Sequence, residues 1–142
     1  MRWIHDAAST CAVLLSPEGV RARYSGGIHF HRPVHLGDVV EVDARAILVE
    51  DRDIHISILV RSAPAQQPEK LTLTTQCTMI FTVDESQEIP STLPERTAED
   101  ARLAAHAREI VSLRSELTRI GDNLLQAEQQ HHHVSGQSAS KP

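Results

Sequence analysis

The sequence predicts an α+β fold in which one antiparallel sheet wraps one central helix, and two patterns predict it. The first is the short stretch 3–15, whose apolar and small side chains recur at spacings of four, three and four, as on one face of an amphipathic helix. The second is the segment 20–84, where apolar residues alternate with polar ones as they do along half-buried strands. A helix followed by successive strands with short connections is an α+β plan.

The helix at 3–15 is expected to lie close to the sheet. Its middle is rich in alanine and serine, and such small side chains let a sheet curl closely around a helix. Pro17 ends it, because proline disfavours the helical conformation at the residue before it. The apolar stripe consists of Ile4, Ala8, Cys11 and Leu15.

Four strands are expected, at residues 20–30, 39–49, 54–60 and 71–83. Each has one apolar face and one polar face, which predicts a sheet with one buried side. Thr74 falls on the polar face of the fourth strand. The apolar face of the second strand consists of Val40, Val42, Ala44, Ala46 and Leu48, and that of the fourth of Leu71, Leu73, Cys77, Met79, Phe81 and Val83.

A corner between the first two strands is the most distinctive stretch. The first strand ends near Phe30, and Pro33 forces a corner because proline cannot donate to a strand ladder. A tight turn follows at Gly37 and Asp38. The pair at 26–27, two glycines, indicates a bulge or a close approach of another backbone or a ligand.

Length and charge limit the function. The chain has 142 residues, enough for one domain, and an expected folded unit of about 90 residues would gain considerably from association with copies of itself. The net charge is −5, with 14 Lys and Arg interleaved among 19 Asp and Glu. Nucleic-acid binding needs clustered basic residues, so it is not expected.

Two cysteines, Cys11 and Cys77, lie among apolar neighbours without the spacing of a metal or redox pair. Buried free thiols in a reducing compartment are the simplest interpretation. No signal-peptide pattern precedes the first helix, and no apolar run approaches the roughly 20 residues of a membrane span. We expect a cytoplasmic protein with no membrane attachment and no cofactor.

A second helix follows a linker at 91–97, and it is expected at 98–130, after a capping box formed by Thr97 and Asp100. It is amphipathic, and its apolar residues recur every seven positions in two interleaved series. This pattern fits a helix that packs on its own domain or one that meets a second copy. The tail at 131–142 is polar and is expected to be disordered. The two series are Leu103, Ile110, Leu117 and Leu124, and His106, Leu113 and Ile120.

Three segments resemble the hotdog-fold acyl-CoA thioesterases. They are Trp-Ile-His-Asp-Ala-Ala at 3–8, the stretch 27–38 with Phe30, Pro33-Val34 and Gly37-Asp38 at fixed spacing, and the strand end at 79–84. The resemblance covers roughly residues 1–90 and implies a hotdog domain paired into a dimer through its sheet edge. Family members have a strand and a glycine-bearing loop before the helix, whereas this chain begins directly on the helical motif. We therefore expect the first strand to be lacking.

The resemblance implies an acyl-CoA thioesterase of lipid metabolism, with its site at a dimer interface. The family's acidic residue in the helix motif aligns with His5, and the nearest carboxylate, Asp6, lies one position later. Either is a candidate general base, since hydrolysis needs a group that orients water. Histidine in general titrates near neutral pH. The alternatives are a solvent-facing His5 and an Asp6 that only complements the helix dipole.

The corner supplies the candidate substrate-binding residues Phe30, Arg32, Pro33, Gly37 and Asp38. Arg32 is a candidate for the coenzyme A phosphates, or an exposed strand-end arginine. Phe30 is expected mainly to pack in the core, with lining of an acyl channel as the alternative. Asp38 is expected to bond the backbone of its turn, with a catalytic role as the alternative.

A metal site is the main chemical rival at this corner. His29 and His31 fall on the same side of a strand, and His35 follows. No fourth ligand is placed by the local pattern, so no metal is expected. At the level of function, the alternative to a thioesterase is a non-catalytic hotdog module that assembles, or binds acyl-CoA without turnover.

Overall fold

The computed structural model describes residues 2–94 and 97–137, with side chains described as far as residue 123. The chain forms two compact units, Met1–Ala105 and His106–Pro142. The elements, in chain order, are α1 (Arg2–Leu15), β1 (Val20–Phe30), β2 (Asp38–Glu50), β3 (Asp53–Pro64), a 3₁₀ turn at Pro68–Lys70, β4 (Thr72–Val83) and α2 (Ala98–Gln137). The predicted first helix and all four predicted strands are present.

The four strands form one antiparallel sheet in the order β1-β4-β3-β2. β1 and β2 are therefore the edge strands of the sheet in the described part of the chain. The predicted α+β class is confirmed at this level, as an antiparallel four-stranded sheet with helices.

The core lies between α1 and the sheet. Ala8 and Ala12 of α1 are fully buried, as are Ile54, Ile56 and Ile58 of β3. An alanine face brings a helix axis close to a sheet, so the isoleucine side chains of β3 fill the space that larger helix residues would occupy. The expected apolar stripe of α1 is thus in contact with the buried side of the sheet.

One strand face differs from the prediction at the end of β2. The pairing with β3 shifts between Ala46 and Leu48, so Leu48 lies opposite His55, on the face turned away from the core. Val49 joins the core cluster instead. An irregularity of this kind adds a residue to one strand and reverses the faces beyond it, which simple alternation does not indicate.

A second shift changes β4. Val60 pairs with Thr75 and Arg61 with Leu73, so Leu73 leaves the core face to which alternation assigned it. Thr74, expected on the polar face, is buried. Its hydroxyl donates a hydrogen bond of 3.0 Å to the Val60 carbonyl, which offsets the cost of burying a polar group.

The bulge predicted at the glycine pair is also present. The register of β1 against β4 is irregular between Gly26 and His29, and Gly27 has a φ of 59°. A positive φ is readily adopted by glycine and is strained for other residues. The irregularity bends the outer edge of β1 shortly before the corner.

The second helix begins where the sequence predicts. The Thr97 amide donates to the Asp100 carboxylate at 3.0 Å, and the Asp100 amide donates to the Thr97 hydroxyl at 3.1 Å, which is a reciprocal capping box. Arg45 of β2 lies 3.3 Å from Asp100 and 3.8 Å from Glu99. These ion pairs attach the first turn of α2 to the sheet.

The end of α2 differs from the prediction. The helix continues to Gln137, seven residues past the expected end at 130 and into the first part of the expected tail. The reason is that no glycine or proline interrupts it between Asp122 and Val134, and glutamine and histidine tolerate a helix. Residues 138–142 lie outside the described residues, so the disorder expected for the tail stays a prediction there.

The close contact of α1 with the sheet predicts a specific sensitivity. Ala12→Leu inserts three carbon atoms where Ala12 has no exposed surface, and overpacking of this kind costs about 1–3 kcal/mol. The matched control is Thr10→Leu on the exposed side of the same helix, where we expect a change within about 0.5 kcal/mol. Thermal unfolding of both variants measures the difference, and equal melting temperatures would contradict the packing described here.

Candidate active site

An open groove lies at the corner that follows β1. It has a volume of about 530 Å³, and the residues that line it are Phe30, His31, Arg32, Pro33, Val34 and Thr75. Phe30 is 76% exposed, so the expectation that it packs in the core is wrong for the single chain. β1 ends at Phe30, and its side chain stands at the groove rather than in the core.

The groove is held by backbone hydrogen bonds to β4. The amides of His31 and Arg32 both donate to the carbonyl of Thr74, at 2.8 and 3.3 Å. Pro33 has no amide to donate and ends this pairing. The strand that would otherwise continue beside β4 turns away at this point, and its departure opens the groove.

The tight turn beyond the groove is built around the Asp38 carboxylate. Its Oδ2 accepts a hydrogen bond of 2.8 Å from the His35 amide, and the Asp38 amide donates to the His35 carbonyl at 3.1 Å. Gly37 has a φ of 90°, a conformation that favours glycine. The Asp38 side chain is only 12% exposed. These contacts agree with the expected turn-forming role, and neither Gly37 nor Asp38 lines the groove.

The second group of candidate residues lies at the start of α1. The His5 Nδ1 is 3.3 Å from the Ser9 hydroxyl and 4.0 Å from the Asp6 carboxylate. The His5 ring also lies over the edge of the core, with its centroid 6.4 Å from that of Phe81. The Asp6 carboxylate lies 3.7 Å from Arg2, one turn earlier on the surface. His5 is therefore turned towards the sheet, while Asp6 has a cation beside it.

The two groups are separate within one chain. No residue of α1 is among the lining residues of the corner groove, and no groove residue is among the polar contacts of His5 or Asp6 given above. Histidine, hydroxyl and carboxylate at the helix start can move a proton. The groove offers apolar walls and one guanidinium.

The histidines of the corner do not form a described metal centre. The rings of His29 and His31 are stacked with centroids 6.5 Å apart, and the His35 ring lies 3.6 Å from the Asp38 carboxylate. Among the residues that the structure describes, no group of three or more histidine, cysteine or acidic side chains is arranged to hold a metal ion.

Neither cysteine is suited to act as a nucleophile. Burial is the main cause that raises the pKa of the Cys11 thiol; the carboxylate of Asp43 adds to it, and a hydrogen bond with the Ala46 backbone opposes it. Burial also raises the pKa of the Cys77 thiol. Both cysteines are free. A raised pKa keeps a thiol protonated, and the thiolate is the reactive form.

In the described part of the chain, neither helix combines the length and the apolar character that crossing a bilayer requires.

The arrangement of helix and sheet matches solved acyl-CoA thioesterases. One, a hexameric acyl-CoA thioesterase solved without ligand, has a TM-score of 0.71 at 21% identity, over 82% of this chain and 76% of its own. An acyl-CoA hydrolase from Staphylococcus aureus, solved with butyryl coenzyme A and coenzyme A, has a TM-score of 0.65 at 15% identity. The match covers 94% of this chain and 79% of the hydrolase. A hexameric thioesterase from Yersinia pestis has a TM-score of 0.52 at 24% identity, and the match covers 66% of this chain and 75% of the Yersinia protein. The fold is that of the hotdog proteins.

A protein-family model matches the first part of the chain. Residues 1–69 match the model of the thioesterase superfamily. This span contains α1, β1, the corner groove apart from Thr75, and the turn at Asp38. No curated protein matches the chain. The predicted resemblance to the hotdog acyl-CoA thioesterases is confirmed.

Two residues of the candidate site were not predicted from the sequence. Ser9 is four positions after His5, a spacing that places two side chains side by side on a helix, so the sequence did contain a signal for it. Thr75 lines the groove because it pairs with Phe30 in the ladder between β1 and β4. The sequence of β4 alone does not indicate that pairing.

The role of Asp38 can be tested by comparing two substitutions. Asp38→Asn keeps an oxygen that accepts from the His35 amide, so stability and any thioesterase activity should remain near those of the parent. Asp38→Ala removes the acceptor and should cost about 1 kcal/mol in unfolding free energy. Chemical denaturation and an acyl-CoA assay on both variants measure this. A fully folded Asp38→Asn protein without activity would instead show that the carboxylate takes part in the chemistry.

Proposed function

We propose that this protein hydrolyses acyl-CoA thioesters to a free acid and coenzyme A. The superfamily match and the shared fold support thioester hydrolysis in general. The observation that supports a working site in this chain is the pair formed by His5 and Ser9 at the start of α1. Acyl-CoA is the proposed substrate class.

His5 is the proposed general base. With the proton on Nδ1, that nitrogen donates towards the Ser9 hydroxyl 3.3 Å away, and the negative Asp6 carboxylate at 4.0 Å favours the same tautomer. Nε2 then has a free lone pair with which to accept a proton from water. Asp6 is the weaker candidate, because its carboxylate lies 3.7 Å from Arg2 on the surface of the helix, whereas His5 is the residue in contact with the Ser9 hydroxyl.

The proposed step is a water attack on the thioester carbonyl. His5 Nε2 takes a proton from the water as its oxygen bonds to the carbonyl carbon, giving a tetrahedral intermediate. When the intermediate collapses, the carbon–sulfur bond breaks and its electron pair leaves with the sulfur. The proton held by His5 passes to the coenzyme A thiolate. The products are a carboxylic acid and a thiol, and the base is returned to its starting state.

The corner groove is the proposed seat of the substrate. Phe30, Pro33 and Val34 supply apolar contacts for an acyl chain, and Arg32 supplies a cation for the phosphates of coenzyme A. Gly37 and Asp38 would act indirectly, by fixing the turn that ends the corner.

A complete site is proposed to need two copies of the chain. The helix start and the groove are separate in one copy, and β1 is an edge strand with backbone groups available for pairing. Pairing of two copies through this edge would bring the His5 helix of one copy to the groove of the other. The hexameric assemblies of similar proteins are consistent with association.

The second candidate function is a non-catalytic hotdog module that assembles, or binds acyl-CoA without turnover. One observation favours it: His5, at the position aligned with the family's acidic residue, has a side chain that is 56% exposed. In the single chain, water therefore has free access to this base.

Replacing the two candidate bases separately tests the assignment. His5→Ala should lower kcat by roughly 100-fold or more, the usual scale for loss of a general base. Asp6→Ala should change kcat little. The measurement is a thioesterase assay over short and long acyl-CoAs.

The outcomes of this assay separate the two functions. Activity unchanged in both variants would refute catalysis by this helix start. A parent chain that binds acyl-CoA by calorimetry without turning it over would support the non-catalytic module. The same pair of variants should also be assayed in a chain extended with the first strand and glycine loop of a related thioesterase, where loss of activity in His5→Ala alone would again identify the base.

Mixed assemblies test whether the site spans two copies. His5→Ala removes the base, and Val34→Glu places a negative charge in the groove, where it repels the substrate phosphates. If each site combines His5 of one copy with the groove of another, co-expression of the two variants should restore about a quarter of the parent activity. The reason is that half of the randomly formed dimers are mixed, and each mixed dimer has one intact site out of two. Sites contained in a single chain would regain none.

A further inference from the structure

The unit that follows Ala105 has an apolar stripe without a described cover. Leu113, Leu117 and Ile120 of α2 are 56%, 68% and 48% exposed. Their spacings of four and three residues place them on one face of the helix. Single exposed leucines are ordinary, but a continuous stripe of this kind marks an interaction surface.

The stripe has the period of a coiled coil. Ile110 and Leu117 are seven residues apart, as are Leu113 and Ile120, so the two series occupy positions a and d of successive heptads. Leu103 and His106 extend the series by one heptad towards the helix start. A seven-residue repeat keeps one seam facing a second helix, whereas packing on a domain surface requires no such regularity.

The charges beside the stripe determine what the second helix must be. With Ile110 and Leu117 at position a, the flanking position g holds Glu109 and Glu116, and the flanking position e holds Arg114. In a parallel pair of identical helices, position g of one helix faces position e of the other. Glu109 of each copy therefore faces Arg114 of the other copy. In an antiparallel pair, glutamate would face glutamate and Arg114 would face Arg114.

We propose that α2 pairs through this stripe with α2 of a second copy, in a parallel and in-register arrangement. The apolar series supplies the buried seam, and the opposite charges at e and g supply the orientation. Glu116, which lies 3.7 Å from Arg119 of its own helix, faces Gly121 at position e of the second copy, so Glu109 and Arg114 are the charged pair that orients the helices. The proposal does not depend on thioesterase activity, since it concerns the helix alone.

Cysteine cross-linking in the full-length chain tests this arrangement. In a parallel pair, equivalent d positions lie opposite each other, so Leu113→Cys thiols can form a disulfide without backbone movement. The matched control is Ser115→Cys, which lies on the side of the helix away from the seam. Under mild oxidation, Leu113→Cys should give a covalent dimer at least ~10-fold faster than Ser115→Cys. The parent chain, with its two native thiols, gives the background rate.

Two results of this experiment would overturn the proposal. Equal rates for the two cysteine variants would mean that the stripe does not face a second copy. Cross-linking only in a mixture of Leu113→Cys with Leu117→Cys chains would mean that the helices are antiparallel. Both substitutions are on the exposed surface of α2, so neither should prevent folding.

Charge exchange provides an independent test in the Leu113→Cys chain. Glu109→Arg should slow cross-linking by about two- to five-fold, because it sets two like charges opposite each other at each end of the pair. Adding Arg114→Glu should restore the rate. These two residues are five positions apart and are not neighbours on one helix, so a recovery would report contact between copies. Faster cross-linking in Glu109→Arg alone would contradict the parallel arrangement.

Discussion

The close contact between α1 and the sheet is the constraint on which the first unit depends. Ala8 and Ala12 are without exposed surface, and the isoleucines of β3 fill the space above them. A larger side chain at either alanine would lift the helix from the sheet. Because His5 is one turn before Ala8 on the same helix, this contact also fixes how near the His5 ring comes to Phe81 and to the edge of the core. Packing at small residues therefore positions the candidate base.

The corner depends on a different constraint, which is the loss of strand pairing at Pro33. Up to that point the backbone of His31 and Arg32 is bonded to Thr74. Pro33 itself has no amide N–H to donate, and the Asp38 carboxylate closes the next turn by accepting a hydrogen bond from the His35 amide. The groove is the gap between these two hydrogen-bonded points. Its position is thus determined by the backbone, while its side chains determine its chemistry.

The sequence predicted the elements well because period and length are local properties. The helix at α1, the four strands and the capping box at Thr97 and Asp100 each depend on residues close together in the chain. The errors arise where two strands must agree on a register. The shifts beside Leu48 and Leu73 depend on the pairing partner, which no single strand encodes.

The candidate site was predictable in part for the same reason. The predicted corner residues come from one continuous stretch of sequence, and most of them line the groove. Phe30 is one of these, although it was expected mainly to pack in the core. Thr75 belongs to another strand and reaches the groove through its pairing with Phe30. Ser9 is the opposite case, since its distance from His5 follows from helix geometry alone.

An exposed site would link assembly of the chain to the chemistry that we propose for it. Phe30 and Val34 leave apolar surface open at the groove, and His5 is open to water at the helix start. Covering apolar surface stabilises an assembly, at about 25 cal/mol per Å² removed from water. Excluding water from the same place strengthens the electrostatic interactions on which a base and a bound thioester depend. One event, the association of copies, would therefore supply both the stability that a small domain lacks and the enclosure that hydrolysis requires.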